Sequence, residues 1–238
     1  MLKFTGVGSA FNTALGNTNA FIRKNDSLLL IDCGGTVFER LIKYKILEGI
    51  KNLYILITHT HPDHIGSLGD TVFYSYYILK IKPFVIHPDK ETLSQILSSM
   101  GVSEEIYEFI DSTNYCIEDK TLGKVKLEFL PVSHVENIPA YGIEINYDGQ
   151  CFFYSGDAND INKHILDGLE NGRIKRIYQD TCGADYPGNN HLSQKRLLEI
   201  IKPSLRNKVY CIHQDAYFDS DLAIRSGFNI VDEIEDLV

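Results

Sequence analysis

An apolar strand that runs straight into His59-Thr60-His61-Pro62-Asp63-His64 limits this chain more than any other feature. Four side chains able to ligate a metal fall within those six residues, directly after the run Leu53 to Ile57. Residues i and i+2 of an extended segment point to the same side, so His59 and His61 can aim at one ion. Pro62 stiffens the turn, and Asp63 and His64 can then reach a second. Imidazoles with one carboxylate per ion suit zinc, with iron and manganese as alternatives. The competing reading is a polar loop with no ligand role.

The rest of the chain shows what could carry such a loop. Strand-like stretches rich in Ile, Val, Leu, Phe and Tyr are expected at 2–6, 19–23, 27–32, 54–58, 84–87, 124–132, 141–147, 151–155, 176–180 and 208–212. Helical spacing fits 37–47, 68–79, 91–99, 161–169 and 194–200. Asp89 and Ser193 stand where N-caps belong. Two sheets packed face to face, with helices outside, accommodate this α/β mixture. No linker or low-complexity segment interrupts it, so one domain over residues 1–238 is expected. Ser27-Leu-Leu-Leu-Ile-Asp-Cys-Gly and Cys151-Phe-Phe-Tyr-Ser-Gly-Asp both run an apolar strand into an Asp beside a Gly, as a duplicated half-domain would.

Composition excludes several classes. Hydrophobic residues make up 44% and charged residues 23% of the 238, which is ordinary for a globular protein and not for a disordered one. The apolar runs are too short to span a bilayer. Met1 to Gly8 has no secretory apolar region. Five scattered cysteines, Cys33, Cys116, Cys151, Cys182 and Cys211, read as reduced thiols of a cytoplasmic protein. A net charge of −9 offers no broad grip on a long polyanion. The basic stretch at Arg173, Lys175 and Arg176 reads as solvated surface.

His-x-His-x-Asp-His after a hydrophobic strand resembles the signature of the metallo-β-lactamase superfamily. That resemblance implies an αββα sandwich and three further ligands in order, and the chain supplies candidates at three strand ends: His134, Asp157 and His213. Carried over, it gives one metal to His59, His61 and His134 and the other to Asp63, His64 and His213, with Asp157 and a water bridging them. Asp32 then supports the metal loop without being a ligand, and Asp63 orients or deprotonates the nucleophile. Two such ions, zinc first and manganese or iron as alternatives, acidify a water and polarise a substrate oxygen.

Within the superfamily the chain resembles the tRNase Z branch. Asp180 and His191 look like that branch's acid–histidine pair, with Asp in place of its Glu. A His held by a carboxylate can stay protonated and donate to a leaving alkoxide. Gly6-Val-Gly-Ser-Ala-Phe is similar to the branch's Gly-rich opening. The long basic arm of its tRNA processors has no counterpart, because only two expected strands separate His134 from Asp157. In this arm-less form the chain resembles the phage anti-Pycsar cyclic-nucleotide phosphodiesterases. That implies hydrolysis of 3′,5′-cyclic nucleotides to 5′-monophosphates, action in the host cytoplasm, and a homodimer. A tRNase Z-like RNA endonuclease, a lactonase or a thioesterase remain the alternatives. Phe11, Tyr186 and Tyr217 are candidates to stack on a base, while His87 and His164 read as structural or surface residues.

Overall fold

The computed structural model describes residues 1–231. Six strands form the first sheet, in chain order across it: β1 (Lys3–Gly6), β2 (Asn19–Lys24), β3 (Ser27–Ile31), β4 (Asn52–Leu56), β5 (Phe84–Ile86) and β6 (Glu108–Ile110). Seven form the second: β7 (Asn114–Asp119), β8 (Gly123–Pro131), β9 (Tyr141–Tyr147), β10 (Gln150–Tyr154), β11 (Ile174–Asp180), β12 (Val209–Ile212) and β13 (Asn229–Ile230). Each sheet begins with antiparallel pairs and ends with three parallel ones, β3 to β6 in the first and β10 to β13 in the second. Asp32 follows β3 and Asp157 follows β10, each after the strand where its sheet turns parallel. The repeat of pairing sense is what a duplicated half-domain predicts.

Burial on both faces explains why β3 is apolar at every position after Ser27. Leu29 and Ile31 face the space between the sheets, where they meet Phe129, Ile143, Tyr154 and Ile212 of the second sheet. Leu28 and Leu30 face the other way, onto α1 (Val37–Lys43), α3 (Leu68–Tyr74) and α4 (Lys90–Ser99) through Leu41, Val72 and Leu93. Cys151, Phe153 and Ile177 of the second sheet likewise turn outward onto α5 (Lys163–Glu170), α6 (Gln194–Ile200) and α7 (Ser220–Arg225). Helix, sheet, sheet and helix therefore stack as four layers, as the sequence suggests. A one-turn helix, α2 (Pro62–Ile65), stands apart from these layers at the end of β4.

Asp89 and Ser193 cap α4 and α6, accepting from the backbone N–H of Thr92 and Arg196. The expected helix at 37–47 stops at Lys43, where Lys45 adopts a left-handed φ of 56°. The basic stretch is not all solvated: Arg173 reaches inward and binds the buried Glu144 at 2.6 Å. All five cysteines are free, four of them buried and Cys116 half-buried. Among the described residues no helix is long and apolar enough to cross a membrane.

Candidate metal centre

The centre lies where the parallel strands of both sheets end. Thr58, just beyond β4, donates its N–H and hydroxyl to the fully buried Asp32 at 2.8 and 3.0 Å. His61 is the extended N-cap of α2, Pro62 opens the helix, and the N–H groups of His64 and Ile65 both return to the His61 carbonyl. This tight turn puts Asp63 and His64 on the inner side of the loop. Gly34 allows it, since a Cβ there would sit 1.8 Å from the Asp63 carbonyl oxygen.

Two clusters result. The ligating atoms of His59, His61, His134 and Asp157 lie within 4.8 Å of one another, as do those of Asp63, His64, Asp157 and His213. Asp157 divides its oxygens between them. Oδ2 faces His59 Nε2 at 3.6 Å and His134 Nε2 at 3.7 Å. Oδ1 faces His64 Nε2 at 3.1 Å and His213 Nε2 at 3.3 Å. Asp63 Oδ2 lies 3.2 Å from His213 Nε2, and His61 Nδ1 is 3.1 Å from His59 Nε2. All seven candidates from the sequence are thus brought together.

The far nitrogens of the rings fix the tautomers. His64 Nδ1 donates to Asp32 at 2.9 Å, and His134 Nδ1 donates to the Asn190 carbonyl at 3.1 Å. His59 Nδ1 lies 3.1 Å from the Thr58 hydroxyl, whose proton is already given to Asp32. The Nε2 atoms of these rings therefore aim bare lone pairs into the centre, the arrangement in which such partners orient metal-bound imidazoles. His64 Nε2 and Asp157 Oδ1 are buried without any hydrogen bond.

Four carboxylates, Asp32, Asp63, Asp157 and Asp180, are buried at this one place, and imidazoles surround them. Buried charge is tolerated only when paired or bound to metal. Burial, helped by the neighbouring imidazoles, pushes His59 and His61 below the usual imidazole range. Burial also opposes a charged His213, yet Asp157 and Asp180 outweigh it and hold the ring up at about 10. His59 and His61 thus offer neutral donors, and the second cluster calls for positive charge. Adjacent donors on a tetrahedral zinc with bonds of ~2.0–2.1 Å lie about 3.3 Å apart, close to the separations here. The donor set fits divalent metal.

A third group adjoins these two. His191 Nδ1 binds Asp180 Oδ2 at 2.7 Å, and the ring stacks on His213 with centroids 4.9 Å apart. Burial disfavours its charged form, but Asp180 outweighs burial and holds His191 above the ordinary value. Asp180 Oδ1 also faces His213 Nδ1 at 3.4 Å without a hydrogen bond, so one carboxylate neighbours both rings. His191, five of the seven candidate ligands (all but His59 and His64) and the exposed Phe11 and Tyr186 line one cavity of about 660 Å³.

Residue type and spacing do not single out every contributor. The Asn190 backbone carbonyl that orients His134 carries no mark in the sequence. Asn189 accepts from the His191 N–H and was equally silent. Asp215 accepts from the N–H groups of Gly183 and Ala184 at 2.7 and 3.1 Å. Its signal was only its place two residues after His213. Tyr217 is exposed but does not line the cavity, and neither do His87 and His164. His87 is buried under the metal loop, with Nδ1 on the Ile57 carbonyl at 2.9 Å, and His164 lies beside Arg173.

Fold and site together define a metallo-β-lactamase-fold protein, and solved structures agree. The chain is similar to the metallo-β-lactamase fold protein YhfI from Bacillus subtilis, with a TM-score of 0.75 and 17% identity, over 97% of this chain and 94% of that one. Human tRNase Z, short form, aligns with a TM-score of 0.68 and 16% identity over 98% and 96% of the two chains. The family model described as Anti-Pycsar protein Apyc1 matches residues 1–233, and the chain belongs to that family. Relatives named Anti-Pycsar protein Apyc1 include one from Bacillus phage vB_BveM-Goe7, 39% identical over 89% of this chain and 88% of the relative. Another, from Paenibacillus harenae, is 28% identical over 89% and 88%.

Proposed function

We propose that the protein is a metal-dependent phosphodiesterase that opens 3′,5′-cyclic mononucleotides to 5′-monophosphates and thereby counteracts the Pycsar defence named by its relatives. The observation that carries this is His191, held by Asp180 at 2.7 Å beside both ligand clusters in one cavity. A thioester expels a thiolate that needs no poised proton donor; an alkoxide leaving from phosphorus does.

His59, His61 and His134 would hold one divalent ion and Asp63, His64 and His213 the other, with Asp157 between them. Zinc suits the donors best, with manganese and iron as alternatives. Bound there, the ions would supply Lewis acidity and an acidified water. Asp63 also borders the cavity, where it can orient the attacking water. Attack forms a new P–O bond and breaks the P–O3′ bond. His191 gives its proton to O3′ from Nε2, because Nδ1 is occupied by Asp180. Asp180, bound to Nδ1 at 2.7 Å, orients the ring for that transfer. The cavity, about 660 Å³, is of a size that encloses a single small ligand.

Small substrates fit the chain better than tRNA. Only β9 and β10 lie between His134 and Asp157, leaving no room for an RNA-binding arm, and the net charge is −9. We extend the reading to a homodimer working in the host cytoplasm, as the resemblance implies. The test is kcat/KM on cyclic CMP, cyclic UMP, cyclic AMP, pre-tRNA, a lactone and a thioester at one salt concentration. Cyclic nucleotides should lead. Pre-tRNA as the clear favourite, or activity confined to the lactone or thioester, would overturn the assignment.

A further inference from the structure

We infer that Phe11 and Tyr186 form an aromatic clamp that holds the nucleobase, an assignment that rests on the cyclic-nucleotide reading above. The cavity has a charged floor and walls that are neutral apart from Asp215. Its floor is His61, Asp63, His134, Asp157, His191 and His213; its walls include Ser9, Ala10, Val135 and Ala184, and no Lys or Arg lines it. Phosphate therefore belongs on the floor, and whatever fills the upper part is recognised without cations. Two large rings are presented there: Phe11 is 95% exposed and Tyr186 57% exposed. Neither has a ring partner among the described residues. An apolar ring left open at a cavity mouth offers a face to a flat ligand.

The rings come from different loops, yet both loops are pinned to neighbouring residues. Phe11 lies in the turn after β1, where Ser9 N–H and the Asn12 side-chain amide donate to the Gln214 carbonyl at 3.0 and 3.1 Å. Tyr186 lies in the loop after β11, which Asp215 grips through the Gly183 and Ala184 N–H groups. Gly183 is packed so tightly that a Cβ would lie 1.9 Å from the Tyr217 carbonyl oxygen. Asn189 closes the same loop, donating its side-chain amide to the Ala184 carbonyl at 2.9 Å and its N–H to the Tyr186 carbonyl at 3.3 Å. Gln214 and Asp215 directly follow His213. The two rings and the phosphate floor thus share one anchor, which sets the base position relative to the reacting phosphorus.

Base–aromatic stacking is worth about fivefold to a hundredfold per base, so each ring should contribute on that scale. The test uses the metal-loaded protein with cyclic AMP, cyclic CMP and a base-free analogue, methyl riboside 3′,5′-cyclic phosphate. Free adenosine binding, followed by saturation-transfer NMR, supplies a readout that involves no phosphate. Phe11→Ala and Tyr186→Ala should raise KM for both nucleotides by about tenfold or more. They should leave the base-free analogue and metal content unchanged and abolish the adenosine signal. Phe11→Tyr should restore most of the loss, and Tyr217→Ala should change nothing. Wild-type protein that opens the base-free analogue as well as cyclic AMP would remove the clamp and leave the phosphodiesterase reading standing. No turnover of any cyclic nucleotide, with adenosine binding that still depends on both rings, would remove the activity and keep the clamp. Adenosine binding indifferent to both substitutions would overturn the clamp.

Discussion

At the scale of single residues, the chemistry turns on one carboxylate serving two imidazoles. Asp180 Oδ2 binds His191 Nδ1, and Asp180 Oδ1 faces His213 Nδ1. The proposed proton donor and a candidate ligand therefore share one buried neighbour; His213 Nε2 faces Asp63 and Asp157 at 3.2 and 3.3 Å, whereas His191 reaches Asp157 only through Nδ1, at 4.0 Å. Replacing His191 should separate the roles. His191→Ala should keep the metal content of the wild type and lower turnover of a cyclic nucleotide by ~10²–10⁴-fold, the usual scale for general acid–base catalysis. A nitrophenyl phosphodiester, whose leaving group needs no proton, should lose much less. Equal loss on both substrates, with metal content measured in parallel, would deny His191 the donor role. The ligand candidates are legible because the chain has only eight His, and five of them, with Asp63 and Asp157, stand in the motif or after strand ends. The groups that orient them are less so. A backbone carbonyl such as that of Asn190 is present at every position, and only the fold decides which one meets His134.

At the scale of elements, the metal loop rests on sheets tied together far from it. Asp119, at the end of β7, accepts from Ser27 of β3 and Tyr54 of β4 at 3.0 and 3.2 Å. Its other oxygen accepts from the N–H groups of Thr121 and Leu122, both at 2.7 Å. Burial pushes its pKa up, but these hydrogen bonds outweigh burial and hold it below the ordinary value. A carboxylate with a depressed folded-state pKa adds stability that is full above its unfolded value of about 3.9 and is lost as pH falls through the folded value. Asp119→Asn should therefore destabilise the protein at pH 7 by ~1–3 kcal/mol, the cost of disturbing a buried hydrogen-bonded group. The gap from wild type should shrink as pH falls below about 4. Urea midpoints at pH 7, 5 and 3.5 measure it, and a gap that widened in acid would contradict the argument. Ten strands and five helices are visible as apolar patterns in the sequence, whereas β6, β7 and β13 are not. β6 and β13 are three and two residues long, too short for a period to register. β7 carries Asn114, Glu118 and Asp119, polar groups suited to a sheet edge. The single turn of α2 hides inside the ligand motif, and α7 is a six-residue helix near the chain end.

At the scale of the whole molecule, the centre joins halves that the chain builds separately. His59, His61, Asp63 and His64 follow β4 of the first sheet; Asp157 and His213 follow β10 and β12 of the second. Four buried carboxylates at that seam repel one another unless positive charge lies between them. Metal bound by the folded protein and not by the unfolded chain stabilises by RT ln(1 + [L]/Kd), about 2.7 kcal/mol when free metal exceeds Kd a hundredfold. For a domain of this length each kcal/mol moves Tm by ~2–4 °C, so chelation should lower Tm by about 5–10 °C and abolish turnover together. Asp157→Ala tests whether the shift arises at the seam. The substitution removes the one side chain whose two oxygens face different clusters. The variant should bind less metal than the wild type, lose most activity, and show a much smaller change in Tm on chelation. Elemental analysis and thermal scans on matched samples with and without chelator decide the matter. A wild-type protein that keeps its Tm and its activity after exhaustive chelation, with no metal left by elemental analysis, would show that the convergence of these lone pairs serves something other than a metal.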